Sequence, residues 1–213
     1  MLEPDSNNGG REILIAGGFD FPHGSAGART NLGIARALHA GGYTVSFIST
    51  GQTRMRPQDA CPDGLYRYDG FIYRAPGLTR RSPGLLSRIG TWLGTAARMT
   101  RHLAAMNLGN VRAIIGYGPC FLATRALLRF CRSRRIPLVI DIPEWQPPEY
   151  ELHGLLGSRY WEQQVCMHLY YRRVGHVITL GSFLEKNFCR QGCTAARVPA
   201  ANDVEEPALL ASL

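Results

Sequence analysis

Lysine is almost missing from this sequence of 213 residues: Lys186 is the single lysine beside 23 arginines, and the formal net charge is +8. A charge of this sign and size is typical of proteins that bind nucleic acids. The preference for arginine extends over the whole chain, however, and a genome-wide codon preference would produce it. The sequence signatures of RNA- and DNA-binding motifs are also absent. The charge therefore does not predict a nucleic-acid partner.

Long apolar runs, signal-peptide features and paired cysteines are missing as well. No apolar run reaches the roughly 18 residues of a membrane-spanning helix. The polar start MLEPDSNNGGRE lacks the basic and apolar regions of a signal peptide. The six cysteines include no CxxC pair and no Cys/His spacing typical of zinc sites. We therefore expect a cytoplasmic protein with reduced thiols, no metal and no disulfide, and a disordered leader over residues 1–11.

Acidic residues are absent from the segment 70–140, which contains twelve arginines. They return at four positions within the next eleven residues, namely Asp141, Glu144, Glu149 and Glu151. Asp141 directly follows the apolar run IPLVI, which predicts a buried strand. Because ligands of α/β proteins bind beyond the carboxyl ends of the strands, this acidic cluster is a candidate site.

Asp141 and Glu144 are the candidate catalytic residues of this cluster. One of the two carboxylates would accept a proton from a hydroxyl nucleophile or bind sugar hydroxyls. Trp145 would stack on a sugar ring through its apolar face, in a loop that three nearby prolines stiffen. The alternative is structural: the acids cap a turn, and Trp145 covers the edge of the core.

Predicted strands and helices alternate along the chain, which is typical of an α/β fold with a mainly parallel sheet. The apolar runs predict strands at 12–16, 43–49, 111–117, 136–140, 176–179 and from 196, with a hairpin that turns at Asp69-Gly70. The periodic segments predict helices at 28–40, 85–106, 121–134, 160–173 and 182–191. We therefore predict a Rossmann-like, doubly wound single domain over residues 12–200, with helices on both faces of the sheet and a tail over 201–213.

The loop before the first helix contains His23, Gly24, Ser25 and Gly27. Glycines let a ligand approach the backbone closely, and a helix N-terminus presents free N–H groups to an anion. We expect phosphate or diphosphate as the ligand, with His23 as an additional donor. The spacing matches neither GxGxxG nor GxxxxGK[ST], so a glycine turn without a ligand is the alternative.

The segment 85–106 predicts an amphipathic helix. Its apolar face consists of Leu85, Ile89, Trp92, Leu93, Ala96, Met99, Leu103 and Met106. The opposite face is basic, and a basic amphipathic helix with a tryptophan is able to lie in an anionic membrane interface. Trp92, Arg88, Arg98 and Arg101 are therefore candidate membrane contacts. The alternative is a surface helix that packs its apolar face on the sheet.

Four stretches in this order resemble the N-terminal domain of glycosyltransferases with the B-type fold, specifically the family 4-like group of retaining enzymes that use nucleotide-sugars. They are ILIAGGFDFPHGSAGARTNLGIARALHAGGYTVSFIS, YDGFIYRAP, IPLVIDIPEW, and HVITLGSFLEKNFCRQG with the later ARVPAANDV. The last stretch places Ser182 at the group's usual serine and Asp203 near its usual aspartate. The resemblance extends over about residues 12–204.

The resemblance implies a Rossmann-like domain that mainly binds the acceptor. Its glycine loop would face the donor diphosphate and the acceptor, while Asp141, Glu144, Trp145 and Ser182 would line the acceptor side. A second Rossmann-like domain would bind the nucleotide-sugar, which is a co-substrate, so no cofactor is expected. Because the group often works at a membrane face on lipid-linked or polysaccharide acceptors, the resemblance favours a place at the inner face of the membrane.

The sequence contains no counterpart of that second domain. We therefore expect the acceptor-binding half of a glycosyltransferase of the hexosyltransferase type, truncated or completed by a partner chain and inactive alone. The alternative is a non-catalytic remnant or adaptor that binds a glycan, a membrane surface or a protein partner. A dinucleotide-dependent oxidoreductase is disfavoured, because GxGxxG is missing and no acid between Asp20 and Asp59 is present to hold a ribose.

Overall fold

The structure, a computed structural model, describes residues 11–22, 26–50, 59–61, 65–74, 85–118, 120–150 and 157–199. The helical side chains of 85–93 and 158–159, and that of residue 150, lie outside this description. Residues 1–10 of the predicted leader 1–11, most of the glycine loop, the predicted tail and Asp203 are outside it as well.

The described strands form one sheet. They are β1 (Glu12–Gly17), β2 (Thr44–Ser49), β3 (Tyr66–Tyr68), β4 (Phe71–Arg74), β5 (Val111–Tyr117), β6 (Leu138–Ile142), β7 (His176–Thr179) and β8 (Thr194–Arg197). The strand order is β3-β4-β2-β1-β5-β6-β7-β8, and every pairing is parallel except the hairpin of β3 with β4. The predicted Rossmann-like, mainly parallel sheet is confirmed.

Helices connect the parallel strands. They are α1 (Ala26–Ala40), α2 (Leu85–Ala104), α3 (Phe121–Arg134), α4 (Ser158–Val165), α5 (Tyr171–Val174) and α6 (Ser182–Arg190), with a π-helical turn (Cys166–Tyr170) joining α4 to α5. The chain crosses from β1 to β2 in one direction and from β5 to β8 in the other. Since such crossovers are right-handed, α1 lies on one face of the sheet and the later helices lie on the other.

Two apolar cores fill the two faces of the sheet. The core under α1 contains Ile15, Phe47 and Ile115 and is rich in buried aromatic rings; Phe21 stacks on Phe47 at 4.2 Å between ring centroids. The core under the later helices contains Leu14, Ile114 and Ile140 together with side chains of α2, α3 and α6. Helices on both faces were predicted, and this arrangement confirms them.

Several element boundaries differ from the sequence prediction by one or two residues. Strand β6 was predicted at 136–140 but runs from Leu138 to Ile142, so Asp141 lies within the strand rather than after it. The helix predicted at 160–173 begins at Ser158 and runs to Val174 through the π-helical turn. The last strand was predicted to start at Ala196, but it pairs with β7 from Thr194 to Arg197. Because β8 is a short and mostly exposed edge strand, its residues lack the apolar alternation that marks a strand in a sequence.

Helix α2 lies at the predicted position, but the structure describes only part of the predicted membrane face. Met99 and Leu103 are buried against the sheet, as the surface-helix alternative requires. Arg98 is half-buried and donates to Thr95 Oγ1 at 3.2 Å, while Arg101 is exposed. The side chains of Arg88 and Trp92 lie outside the described residues. Within the described part, none of the helices has the length and apolar character that crossing a membrane requires.

Candidate active site

The carboxyl ends of β1, β5, β6 and β7 meet along one edge of the sheet, where α1, α3 and α6 begin. Parallel topology therefore brings together several of the predicted residues. Asp141 lies near the end of β6, Gly27 in the first turn of α1, and Ser182 at the first position of α6. His23, Gly24 and Ser25 lie outside the described residues, so their predicted role stays a prediction.

Asp141 is a buried carboxyl group at this edge. Along β6, Leu138, Ile140 and Ile142 point into the core under the later helices, so the alternation of a strand directs Val139 and Asp141 to the opposite face. Asp141 is only 1% exposed, and neither carboxylate oxygen has a hydrogen-bond partner among the described residues. Burial raises the pKa of Asp141 to about 7, because the charged form is poorly solvated there.

Glu144 follows two residues after the strand and is exposed. Its carboxylate accepts a hydrogen bond from Gln146 Nε2 at 2.7 Å, and its backbone carbonyl accepts one from Gln163 Nε2 at 3.3 Å. The two predicted carboxylates therefore differ in environment: Asp141 is buried and unpartnered, whereas Glu144 is held at the surface by amide groups.

Tyr117 links the strand ends to the start of α1. It lies beside Asp141 in the parallel register of β5 and β6. A Cβ placed on Gly27 would come within 2.7 Å of Tyr117 Oη, so the glycine is what lets the tyrosine ring approach the helix. Burial, and then the charges of Asp141 and Glu144, raise the pKa of this phenol. The sequence prediction used Tyr117 only as a strand residue, since nothing local indicates which distant groups it contacts.

A cavity of about 300 Å³ opens at the ends of β5 and β6. Tyr117 and Glu144 line it, whereas Asp141, whose side chain lies on the opposite face of β6 from Ile142, does not. Its polar lining includes Tyr117, Glu144, Gln146, Glu162 and Gln163. Carboxylates and amides of this kind accept from and donate to hydroxyl groups, and the described lining contains no arginine or lysine to hold an anion. The cavity therefore suits a hydroxyl-rich ligand better than a phosphate.

Glu162 on α4 was not predicted from the sequence. Its Oε1 atom accepts a hydrogen bond from the backbone N–H of Phe121 at 3.2 Å, which satisfies a free donor in the first turn of α3. The residue thus serves the fold and lines the cavity at once. A sequence of this length gives no signal that these two helix ends meet.

Trp145, in the loop after β6, packs against neighbouring aromatic rings rather than pointing into solvent. Its half-buried ring contacts His168 at 5.3 Å and Phe183 at 6.2 Å between ring centroids. Phe183 is 69% exposed and Trp161 on α4 is 58% exposed. Ser182 is exposed at the start of α6. The loop and the two helices therefore present aromatic surface on the same side of the sheet as the cavity.

Metal ligands are not grouped in the described ranges, where no three His, Cys, Asp or Glu side chains are placed to hold an ion. Cys120 and Cys166 line the cavity as thiols, and burial raises the pKa of both, that of Cys166 to about 12. These groups are therefore neutral at physiological pH and are poor nucleophiles.

A family model described as a glycosyl transferase 4-like domain matches residues 25–201. No curated protein matches the chain. Among solved structures, a UGT transferase from Siraitia grosvenorii in complex with UDP aligns with a TM-score of 0.56 at 10% identity over 94% of this chain and 53% of its own. The Arabidopsis thaliana protein UGT89C1, complexed with UDP-L-rhamnose, aligns with a TM-score of 0.54 at 11% identity over 94% and 53%.

At these identities the likeness to solved structures shows the fold. The chain spans about half the length of the structures it matches.

Proposed function

We propose that this chain, which belongs to the glycosyl transferase 4-like domain family, is the acceptor-side half of a glycosyltransferase. In this proposal a sugar passes from a nucleotide-sugar to a glycan or lipid-linked acceptor, in a cleft between this domain and a donor-binding domain. Support comes from the family match, from the Rossmann-like fold, and from two structures of the same fold, about twice as long, in complex with UDP and with UDP-L-rhamnose. The donor-binding domain would come from further sequence or from a partner chain.

The observation that carries the proposal is the buried carboxyl group of Asp141 at the carboxyl edge of the sheet, which has no hydrogen-bond partner among the described residues. A buried polar group without a partner costs on the order of 1–3 kcal/mol, so a fold keeps one mainly where function requires it. With a pKa of about 7, this carboxyl group exchanges its proton near neutral pH. Such a group suits proton transfer with an acceptor hydroxyl.

Glu144 and the cavity supply the binding part of the proposal. The exposed carboxylate and the neighbouring amides of Gln146 and Gln163 would hydrogen-bond the hydroxyls of the acceptor sugar. Trp145 and the exposed Phe183 would contact the apolar face of a ring. Ser182, at the mouth of β7, would add a further hydroxyl on the acceptor side.

The first turn of α1 would face the donor. A helix N-terminus carries partial positive charge and free N–H groups, which favour a diphosphate. Gly27 keeps the turn against Tyr117, and His23, Gly24 and Ser25 precede it in the sequence. The nucleotide-sugar would thereby lie between this turn and the donor-binding domain.

A cytoplasmic position at a membrane face is part of the same proposal. It rests on the basic polar face of α2, which includes the exposed Arg101, and on the acceptors that such enzymes use. A non-catalytic adaptor is the second candidate, and the exposed aromatic side chains of Trp161 and Phe183 favour it, because such surface is typical of interaction sites.

The activity is tested by incubating the chain with radiolabelled nucleotide-sugars and a lipid and glycan extract, with and without proteins encoded beside it. We expect transfer once the donor-binding partner is present, and a loss of at least about 100-fold in Asp141→Asn. Glu149→Gln is the matched control, since Glu149 is an exposed carboxylate in the same loop. An absence of transfer under every condition, or equal transfer by Asp141→Asn and the control, would contradict the proposal.

A further inference from the structure

The second described cavity lies at the opposite, amino end of the sheet. It encloses about 400 Å³ between the end of α3, the end of α5 and the starts of β6 and β7. Its floor is apolar and includes Leu128, Ile136, Leu138 and Val174. The whole length of the strands separates this cavity from Asp141, so it belongs to a different site.

Four cationic or ionisable side chains surround the mouth of this cavity: Arg132, Arg135, Arg173 and His176. Arg132 Nη2 donates to the backbone carbonyl of Arg173 at 3.2 Å, which ties the end of α3 to the end of α5. Within the described part of the chain, none of the four forms an ion pair, and no acid lines the cavity. Positive charge is therefore concentrated here without an internal counter-charge.

Arginines at helix ends have an ordinary explanation, because cations near a helix C-terminus are stabilised by the helix dipole. That explanation accounts for each arginine on its own helix. It does not account for their convergence. Two helix ends separated by about 40 residues of sequence direct three arginines to one cavity with an apolar floor, and the first residue of β7 adds the imidazole of His176.

We propose that this cavity binds a phosphate monoester with an apolar body. Guanidinium groups form charge-assisted and bidentate hydrogen bonds with phosphate oxygens, and a dianionic phosphate matches three arginines better than a single carboxylate does. The aliphatic side chains of the floor would cover the organic part of the ligand, which inorganic phosphate lacks. The two ends of the sheet thus differ in ligand: hydroxyl groups at the carboxyl end and a phosphate monoester at the amino end.

Hexyl phosphate is the probe that tests the proposal, measured by isothermal titration calorimetry against inorganic phosphate and hexanol. We expect hexyl phosphate to bind at least about tenfold more tightly than inorganic phosphate, because only it fills the floor, and hexanol not to bind. In NMR spectra, the Hε1 signal of His176 should shift on addition of hexyl phosphate. Equal binding of the two phosphates, or an unshifted His176 signal, would overturn the proposal.

The double variant Arg132→Gln/Arg173→Gln should weaken hexyl phosphate binding at least about tenfold, since two charge-assisted contacts are lost. Arg125→Gln/Arg129→Gln is the matched control: it removes the same charge from exposed positions on α3 that do not line the cavity. The circular dichroism of both variants reports whether they fold. Equal weakening in both, with folding intact, would show a general charge effect and overturn the proposal.

A phosphate monoester occurs free in solution and as the headgroup of phosphatidic acid. Sedimentation with vesicles of phosphatidylcholine and 20% phosphatidic acid separates the two sources. Sedimentation that the double variant abolishes and the control retains would identify a lipid headgroup as the ligand. Binding of hexyl phosphate without sedimentation would identify a soluble phosphate monoester. Failure of hexyl phosphate and vesicles alike would refute the site, and none of these results depends on whether the chain transfers a sugar.

Discussion

The two ends of the sheet carry opposite chemistry, although one chain with a net charge of +8 forms both. The carboxyl end has the acids Asp141, Glu144, Glu162 and Glu185, and the amino end has Arg132, Arg134, Arg135, Arg172 and Arg173. In a parallel α/β fold every connecting helix begins at the carboxyl end and finishes at the amino end. Helix dipoles favour cations at helix ends and acids at helix starts, which accounts for the arginines at the ends of α3 and α5 and for Glu185 in the first turn of α6. The other acids lie on β6, in the loop after it and within α4, and the first turns of α1, α3 and α4 contain no acid.

The two ends also differ in whether their charged groups are buried or exposed. At the carboxyl end, Asp141 is buried without a hydrogen-bond partner in the described part of the chain, which is costly for the fold. At the amino end the arginines are exposed around a cavity, where they cost the fold little. The variants below test this difference, from the largest expected effect to the smallest.

Asp141→Asn should remove the free-energy cost of burying the ionised carboxylate of Asp141. The pKa of Asp141 is raised from 3.8 to about 7, so the folded state keeps its proton while the unfolded state releases it between these values. The stability of the wild type should therefore fall as pH rises from 4 to 8, by about 4 kcal/mol from this group. The variant should lack this decrease, which urea unfolding at several pH values measures. Parallel pH profiles of wild type and variant would contradict the assignment.

Gly17→Ala should lower the free energy of unfolding by about 3 kcal/mol, because the backbone is tightly packed at the carboxyl end of the sheet. A Cβ at Gly17 would lie 2.7 Å from the backbone oxygen of Tyr117, which cannot move without shifting β5. Gly18→Ala is the matched control, since a Cβ at Gly18 meets nothing within 4 Å. Chemical denaturation of both variants gives the comparison. Equal stability losses in the two variants would show that the close contact between Gly17 and the backbone of Tyr117 does not determine the effect.

Gly175→Ala, at the amino end, should lower the free energy of unfolding by about 1 kcal/mol, here because of backbone conformation rather than packing. Gly175 ends α5 with a φ of 83°, a left-handed conformation that alanine adopts only with strain, although a Cβ there meets nothing within 4 Å. Gly175→Asn should cost less, because asparagine tolerates this conformation better. A larger loss in the asparagine variant than in the alanine variant would contradict this conformational explanation.

Arg132→Gln/Arg173→Gln should change the free energy of unfolding by less than about 1 kcal/mol. Both side chains are exposed, and the Arg132 hydrogen bond to the Arg173 carbonyl is partly open to water. Thermal unfolding followed by circular dichroism is sufficient for this measurement. A loss of several kcal/mol would mean that these arginines hold the amino end together rather than leaving it free to bind a ligand.

Local signals account for what the sequence predicted correctly. The Asp69-Gly70 pair predicted the hairpin turn, and both residues have positive φ values there. The helix predicted at 121–134 has these bounds, because its apolar residues repeat with the helical period and Arg135 ends it in a left-handed conformation. The candidate site at the end of β6 was predicted from the position of Asp141 after an apolar run, and its function stays a prediction.

Long-range contacts account for what the sequence did not predict. Asp141 and Glu144 lie three residues apart, but only the packed sheet shows that one is buried and the other exposed. The approach of Tyr117 to Gly27 joins segments 90 residues apart in the sequence. The cavity at the amino end likewise depends on two helix ends that no local pattern relates.

The pKa of Asp141 tests the account most directly, because the proposed proton transfer and the cost to the fold both depend on it. It is measured by following the ¹³Cγ chemical shift of Asp141 by NMR as a function of pH, with the assignment made by comparison with Asp141→Asn. The structure predicts a midpoint at about 7. A midpoint near 4, as for a solvated aspartate, would mean that the carboxyl group is hydrated or paired and would contradict the account.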